Sequence, residues 1–374
     1  HNGKPYPLVF GTPGTYKDPD GVTQYVPGSP GYSWLYIPSS ERTTRLLLAG
    51  HHVNANKVEV FNDKEERAVK DVVNGRDDLG NPVAYAVLTH SASFDLTSQE
   101  YWVNWRPKDS SGDYGGGVKN PWSTSEELTG AGDVIRYILQ FSTLDIDHGA
   151  FAAVSDFLNQ FKLSGYISDF DTRAWDWVST ISEVLPMAIR NGPKGLYPII
   201  HDVTATSSYG FSVSASIEFQ QIGPIQVETS TVEIHNSISI GYAFDAKENS
   251  ASRYGVTGIK KSGDPSSFST ASTRASIALY GQRWRRIENA YVYERSTAQK
   301  IIKYISDIES LPARSVQYRA SPRFAFLTLG DIVSLTDSNL GFTNQSCFVS
   351  AKAWDVDSWV FTLTIDRIPD RDSY

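Results

Sequence analysis

The chain has one cysteine, Cys347, and one methionine, Met187, among its 374 residues. A single cysteine excludes an intramolecular disulfide framework and any zinc site built from several cysteines. No stretch approaches the roughly 18 consecutive apolar residues of a membrane-spanning helix, and the first residues lack the apolar core of a signal peptide. The sequence therefore predicts a soluble protein that relies on packing, with no membrane span and no cofactor.

Positive charge is also scarce. The chain has 34 Lys and Arg against 42 Asp and Glu, which gives a net charge of −8. A general nucleic-acid binder needs a basic surface, so that class is excluded, whereas an acidic wall would repel a polyanion and let it slide past. Aromatic residues make up 12% of the chain, and they favour β-structure and contacts with other proteins.

The distribution of turn formers and apolar periods divides the chain into three parts. Residues 1–130 are typical of a β-domain, residues 131–192 of a helical insert, and residues 193–374 of a second β-domain. Within the last part we predict one helix over about 296–311 and a C-terminal barrel over 313–374. The predicted fold class is therefore α+β and β-rich.

The helices have recognisable local signals. Asp147 is placed to cap a second helix of the insert, and a third should begin near Asp171. Ser296 and Gln299 form a capping-box pattern at the start of the late helix. The first helix of the insert is predicted from apolar residues at helical spacing, namely Val134, Ile135, Ile138 and Leu139.

Histidine supplies two candidate metal sites. His1, at the start of the sequence, would chelate copper through its amine and ring if a second histidine faced it, but no spacing singles out a partner. His51 and His52 end an apolar strand, and neighbouring strand residues point to opposite faces. We expect one of this pair to be packed and the other solvated, and we interpret His1 as the point where the sequence happens to begin.

Carboxylates supply two further candidates. Asp145, Asp147 and His148 resemble a hard-metal or acid–base cluster, although helix capping by Asp147 explains its position more simply. Asp109 and Asp113 lie in a polar loop that lacks the ordered spacing of an EF-hand. No phosphate-binding loop or nucleophile elbow is present in the sequence.

The segment RWRR at 283–286 is a concentrated basic patch with a tryptophan inside it. Trp284 and its neighbouring arginines would suit stacking on bases, but the same residue types are enriched in protein interfaces. In an acidic chain we favour an interface, with Trp284, Arg285 and Arg286 as its candidate residues.

The last hundred residues resemble the C-terminal half of baseplate or tail-tip hub proteins of tailed bacteriophages and related gene transfer agents. In those proteins a Y-G-x-R stretch precedes a helix, and a strand ending in L-G-D-x-V enters the second barrel. The first motif is matched by Tyr280, Gly281 and Arg283. The second motif is matched by Leu329, Gly330, Asp331 and Val333.

This resemblance implies two tube-like β-barrel domains per chain and a homotrimer that joins the tail tube to the tip. The implied partners are the tail tube or a distal tail protein on one side and a tip or fibre protein on the other, with DNA passing through the lumen without specific binding. It also implies a location in the virion after assembly in the host cytoplasm, and a structural role without enzymatic activity.

Two alternatives remain open at the level of sequence. The first is a carbohydrate-binding or glycan-degrading protein, either a lectin or a glycosidase. It would need an aromatic-lined cleft, and hydrolysis would need two carboxylates about 5–9.5 Å apart. The second alternative is a copper oxygenase built on His1.

Overall fold

A computed structural model describes twenty segments of the chain. They are 8–18, 20, 22–25, 28–35, 43–53, 58–62, 69–76, 80–89, 101–105, 117–123, 127–167, 172–201, 209–212, 226–230, 234–257, 267–268, 271–320, 322–337, 340–357 and 359–368. The predictions that concern His1, Asp109, Asp113 and Asp171 lie outside these segments. None of the described helices is long and apolar enough to cross a membrane.

The first part of the chain is built from strands. They are β1 (Leu8–Phe10), β2 (Thr15–Lys17), β3 (Thr23–Tyr25), β4 (Ser29–Leu35), β5 (Thr43–Ala49), β6 (Val58–Asn62), β7 (Val69–Arg76), β8 (Pro82–Thr89) and β9 (Tyr101–Trp105). Six of them form an antiparallel sheet in the order β6-β9-β4-β5-β8-β7, and its edge strands β6 and β7 lie next to each other. One face of the sheet closes over a core that includes the fully buried Leu46, Val60 and Trp105.

The helical insert follows. Its elements are α1 (Ala131–Leu139), α2 (His148–Ala153), α3 (Ser155–Leu158), β10 (Gly165–Ile167), α4 (Ala174–Ser182), β11 (Met187–Gly192) and β12 (Gly195–Ile200). The helix predicted at the start of the insert is confirmed, and all four residues of its apolar stripe are buried. The cap is confirmed as well, because Asp147 Oδ1 accepts a hydrogen bond of 3.0 Å from the Ala150 amide. The second helix is interrupted at Val154, and the third ends at Ser182.

The rest of the chain forms two sheets, two α-helices and a short 3-10 helix (Pro322–Phe324) within the described residues. The elements are β13 (Tyr209–Ser212), β14 (Gln226–Ser230), β15 (Ser237–Asp245), β16 (Ser250–Thr257), β17 (Ser267–Phe268), α5 (Ala271–Tyr280), β18 (Trp284–Glu288), α6 (Arg295–Glu309), β19 (Ala313–Ala320), β20 (Ile332–Asp337), β21 (Phe342–Asp355) and β22 (Val360–Arg367). One sheet has the order β17-β16-β15-β18 and carries α6, and the other has the order β13-β20-β21-β22-β19-β14. The fold is therefore α+β and β-rich, as predicted. Neither six-stranded sheet closes into a hydrogen-bonded barrel among the described residues.

Two details of the last part differ from the sequence prediction. Helix α5 was not predicted, because its buried positions include the polar Thr273 and Ser276, so an apolar stripe is missing. The prediction of a capping box at Ser296 is wrong. Helix α6 begins at Arg295 without a side-chain cap, and Ser296 donates instead to the carboxylate of Glu294.

One large core joins the insert to the four-stranded sheet. It includes α1, α4, α6 and strands β1 and β15, whereas the C-terminal sheet packs around a separate core that includes Tyr318, Val333 and Leu363. The short strand β1 belongs to two cores at once, because Leu8 and Phe10 face the central core and Val9 faces the N-terminal one. Alternation along a strand explains this double contact.

Candidate assembly interface

Strand β18 carries the predicted interface residues and ends its sheet on one side in the described part of the chain. It pairs in parallel with β15, from Trp284 opposite Ser237 to Glu288 opposite Gly241. Ile287 is buried in the central core, whereas the Trp284 side chain is 56% exposed. Because successive strand residues alternate, Trp284 and Arg286 share the outward face.

Arg285 lies on the other face and makes an internal ion pair. Its guanidinium contacts Glu309 Oε1, and His235 Nδ1 lies 3.0 Å from the other oxygen of the same carboxylate. The His235 amide also donates to the Glu309 carbonyl oxygen at 2.9 Å. Arg285 therefore connects strand β18 to the C-terminal end of helix α6.

Arg286 is held in place on the outward face. Its Nη2 donates to the Tyr254 hydroxyl at 2.7 Å, and its guanidinium carbon lies 4.8 Å from the centre of the Tyr254 ring. The Glu288 carboxylate forms an ion pair with the Arg286 guanidinium. The Glu288 carboxylate and the Tyr254 hydroxyl both raise the pKa of Arg286 above its ordinary value, so the group stays charged.

The Y-G-x-R motif is the turn that leads from α5 into β18. Tyr280 is the last residue of the helix. Gly281 has a φ of +72°, a backbone conformation that residues with a side chain rarely adopt. The fully buried Asn236 holds this turn, because its Nδ2 donates to the Gly281 carbonyl at 2.8 Å and to Ser276 Oγ at 3.1 Å. Its Oδ1 accepts from the Arg283 amide at 2.8 Å. The motif thus fixes where β18 begins.

The L-G-D-x-V motif is a second turn, at the start of β20. Gly330 has a φ of +90° and donates its amide to the Val349 carbonyl at 2.9 Å. Asp331 Oδ2 accepts a hydrogen bond of 2.7 Å from the Thr328 amide, and Val333 is fully buried. A Cβ on Gly330 would lie 2.2 Å from a methyl carbon of Ile199 in β12, so the turn packs directly on the hairpin β11–β12.

The sequence did not single out Asn236, although its side chain makes three hydrogen bonds in the first turn. Its position immediately before the apolar strand NSISIGYAF is a weak signal, since an asparagine at a strand start is commonplace. Only the fold brings residue 236 beside residues 276–283.

The two histidines follow strand β5, which ends at Ala49, so they are not strand residues as predicted, but their rings differ in burial. His51 Nδ1 lies 3.1 Å from the His52 carbonyl oxygen, and the Nε2 atom of His51 is buried. Burial lowers the pKa of His51 to about 4, which keeps the ring neutral at physiological pH. His52 is exposed, and its Nε2 lies 3.1 Å from the Gly75 carbonyl oxygen. The prediction of one packed and one solvated ring is confirmed.

The carboxylate cluster does not converge on a common centre. Asp147 is occupied as the helix cap, and His148 Nδ1 accepts a hydrogen bond of 2.8 Å from Arg136 Nε. Across the described segments, no three His, Cys, Asp or Glu side chains are arranged to hold a metal ion.

An open groove of about 390 Å³ lies between α4 and β11. Trp175, which is 42% exposed, lines it together with Glu183 and Arg190. Glu183 is the one carboxylate among the described residues that line the groove. Because hydrolysis of a glycosidic bond requires two carboxylates, the groove lacks the pair that a glycosidase needs.

No protein-family model matches the chain, and no curated protein sequence matches it. Its fold is similar to that of a chain in the virion of a native gene transfer agent (GTA) particle, with a TM-score of 0.55 and 9% sequence identity. That similarity covers 98% of this chain and 85% of the other.

Two further structures are more distant. The tail protein from Neisseria meningitidis MC58 has a TM-score of 0.40 at 11% identity, covering 96% of both chains. The 43 kDa tail protein of prophage MuSo2 from Shewanella oneidensis has a TM-score of 0.39 at 10% identity, covering 98% of this chain and 99% of the other. At these identities, what is established is the fold shared with the GTA virion chain.

Proposed function

We propose that this chain is a structural protein of a bacteriophage-type tail, and that it forms the homotrimeric hub that joins the tail tube to the tip. The observation that carries the proposal is the fold similarity to the GTA virion chain over 98% of the present chain. At this coverage the similarity extends over almost the whole length of the present chain. It is therefore a similarity of the whole architecture, not of one common domain.

The two six-stranded sheets support the hub geometry. Each has its own apolar core, and the edges of the first sheet approach each other. We propose that they form the walls of two tube-like domains, the first within residues 1–130 and the second completed by 313–374, with the insert 131–192 beside them. Three copies would then present six similar domains, which suits a six-fold tube above and a three-fold tip below.

The charge of the chain supports a channel role. A net charge of −8 would repel a passing DNA backbone and would disfavour its retention. The partners on this proposal are the tail tube or a distal tail protein at one end and a tip or fibre protein at the other. DNA in the lumen would not be bound specifically.

The exposed outward face of β18 supports a role in assembly. Trp284 and a charged arginine that is already oriented by Tyr254 are the residue types that dominate binding energy at protein interfaces. Because the arginine is held in advance, little side-chain entropy remains to be lost on docking.

Quantitative mass spectrometry of purified particles tests this proposal. The ratio of this chain to the tail tube protein should correspond to three copies for each tail, and immunogold labelling should fall at the tip end. A ratio that corresponds to six copies or more, labelling along the tube, or absence of the chain from purified particles would overturn the hub assignment.

A further inference from the structure

The hairpin of β21 and β22 projects an exposed aromatic tip. Residues Lys352–Asp355 pair with β22, whereas the pairing of β20 with β21 ends at Phe348. Beyond that point the side chains of Trp354 and Trp359 are 39% and 67% exposed, and that of Val356 is 64% exposed. Such a group of large apolar side chains at one tip is typical of a contact site.

The aromatic side chains of the tip contact one another and a neighbouring lysine. The Trp354 ring lies 5.7 Å from that of Trp359, edge to face, and 4.1 Å from that of Phe361. The Lys352 ammonium lies 4.7 Å from the centre of the Phe361 ring and donates to the Leu327 carbonyl at 2.8 Å. These contacts fix the rings, so a partner would meet a preformed surface.

Trp359 has a backbone conformation that is unfavourable for a tryptophan. Its φ is +53°, in the left-handed region where glycine and asparagine are preferred. A tryptophan there is strained, and its ring remains mostly in water. Strain that packing does not compensate is a reason to look for a function of the side chain.

The charge around the tip limits the kind of partner. Asp355 and Asp357 are exposed beside the indole rings, so an anionic lipid surface would repel the tip, and a basic apolar surface would attract it. The chain itself carries such a surface. Within residues 271–288, Arg274 and Arg286 are exposed, and Glu288 is the single acidic residue. The side chains of Leu279 and Trp284 on the same segment are 64% and 56% exposed.

We propose that the β21–β22 tip of one copy docks on the 271–288 segment of a second copy. The two surfaces differ, so the contact is heterologous and repeats from copy to copy until the ring closes. The inference rests on the proposed homotrimer and deepens it by naming the two surfaces that meet.

Sedimentation velocity of the full chain across a dilution series tests this contact. Trp359→Gly removes the ring and relieves the backbone strain, so we expect the thermal stability to be retained or raised while self-association weakens at least about tenfold. Asp357→Arg, an exposed substitution that should not disturb folding, should weaken association in the same direction. Leu144→Ala, at a side chain that is 51% exposed elsewhere, should change nothing.

Charge reversal tests the pairing itself. Arg286→Asp should weaken association, and the double variant Asp357→Arg with Arg286→Asp should recover it, because every contact then regains opposite charges. A 1:1 mixture of the tip variant Trp359→Gly and the edge variant Arg286→Asp should stop at dimers. One intact tip then meets one intact 271–288 segment, and the remaining tip and the remaining segment are both disabled.

The outcomes separate this inference from the proposed function. A wild-type trimer that persists in the tip and edge variants would overturn the contact while leaving the hub assignment intact. A wild-type chain that remains monomeric at every concentration would also overturn the contact, and the composition of purified particles would still decide the hub assignment.

Discussion

The two motif turns contain the same kind of residue under different constraints. Gly281 and Gly330 both have a left-handed backbone, with φ values of +72° and +90°. Among the described residues, apart from its chain neighbours, no atom lies within 4 Å of where a Cβ on Gly281 would be, whereas beside Gly330 a methyl carbon of Ile199 would be 2.2 Å away. The turn at Gly281 is therefore constrained by backbone conformation alone, and the turn at Gly330 by conformation and packing.

This difference indicates what each turn does in the fold. The Y-G-x-R turn is held from inside by Asn236 and delivers β18 to the sheet edge. The L-G-D-x-V turn is pressed against the hairpin β11–β12, and His201 next to that hairpin lies with its ring 5.4 Å from that of Phe348. The first turn positions a surface, and the second joins the C-terminal sheet to the insert.

The largest effect is expected for Gly330→Ala. The new methyl group would meet Ile199, whose β-branched side chain is stiff, and the backbone would be strained as well. We expect the free energy of unfolding to fall by about 3 kcal/mol in denaturant titration. Gly341→Ala, also at positive φ but with open space around it, is the control and should cost only about 1 kcal/mol.

A double-mutant cycle with Ile199→Ala would sharpen that result. If the clash is the cause, the two substitutions should couple by about 1 kcal/mol or more, since alanine at position 199 makes room for the methyl group. Additive effects would contradict direct packing of this turn on β12.

The next effect is expected for Asn236→Ala. This change removes three hydrogen bonds and leaves buried polar groups in the first turn unpaired, so the free energy of unfolding should fall by about 2 kcal/mol. Gln282→Ala, at an exposed residue of the same turn, serves as the control. An equal loss in both variants would contradict the role that we assign to Asn236.

A smaller effect is expected for Gly281→Ala. Only backbone strain opposes the methyl group there, so the cost in thermal or chemical unfolding should be about 1 kcal/mol. Gly281→Asn should cost less than Gly281→Ala, because asparagine tolerates the left-handed region. A loss as large as that of Gly330→Ala would remove the distinction between the two turns.

The smallest effect is expected for Asp331→Ala. The variant loses the hydrogen bond from the Thr328 amide at an exposed turn, where water replaces the carboxylate, so about 0.5 kcal/mol should be lost in chemical denaturation. Asp331→Asn keeps an acceptor oxygen and should retain most of the stability. A loss above that of Asn236→Ala would mean that the second turn depends on its side chain more than on its packing.

Local signals predicted much of the fold. Val134, Ile135, Ile138 and Leu139 identified α1, and Asp147 identified the cap of α2. Each of these signals depends on residues within a few positions of one another, and sequence patterns predict structure best over such short separations.

Long-range packing accounts for what was missed. Helix α5 is stabilised in part by polar contacts, including Ser276 with Asn236, so it lacks the apolar period that predicts a helix. Ser296 matches the capping pattern, but its hydroxyl donates a hydrogen bond to the Glu294 carboxylate instead. The contact of Gly330 with Ile199 joins residues that are far apart in the chain, and no local pattern carries it.

The candidate site was predicted only in outline. The sequence identified Trp284 by its basic neighbourhood, and the fold leaves that side chain exposed. It did not distinguish Arg285, which pairs internally, from Arg286, which faces outward. The sequence also did not predict the aromatic tip. Trp354 and Trp359 resemble ordinary strand residues in the sequence, and only the hairpin brings their rings into contact.

Cryo-electron microscopy of the intact particle tests the central claim most directly. The account predicts three copies of this chain around the tail axis at the tip, with the six-stranded sheets surrounding the channel. A map in which the chain forms six-fold rings along the tube, or lies outside the channel wall, would contradict it.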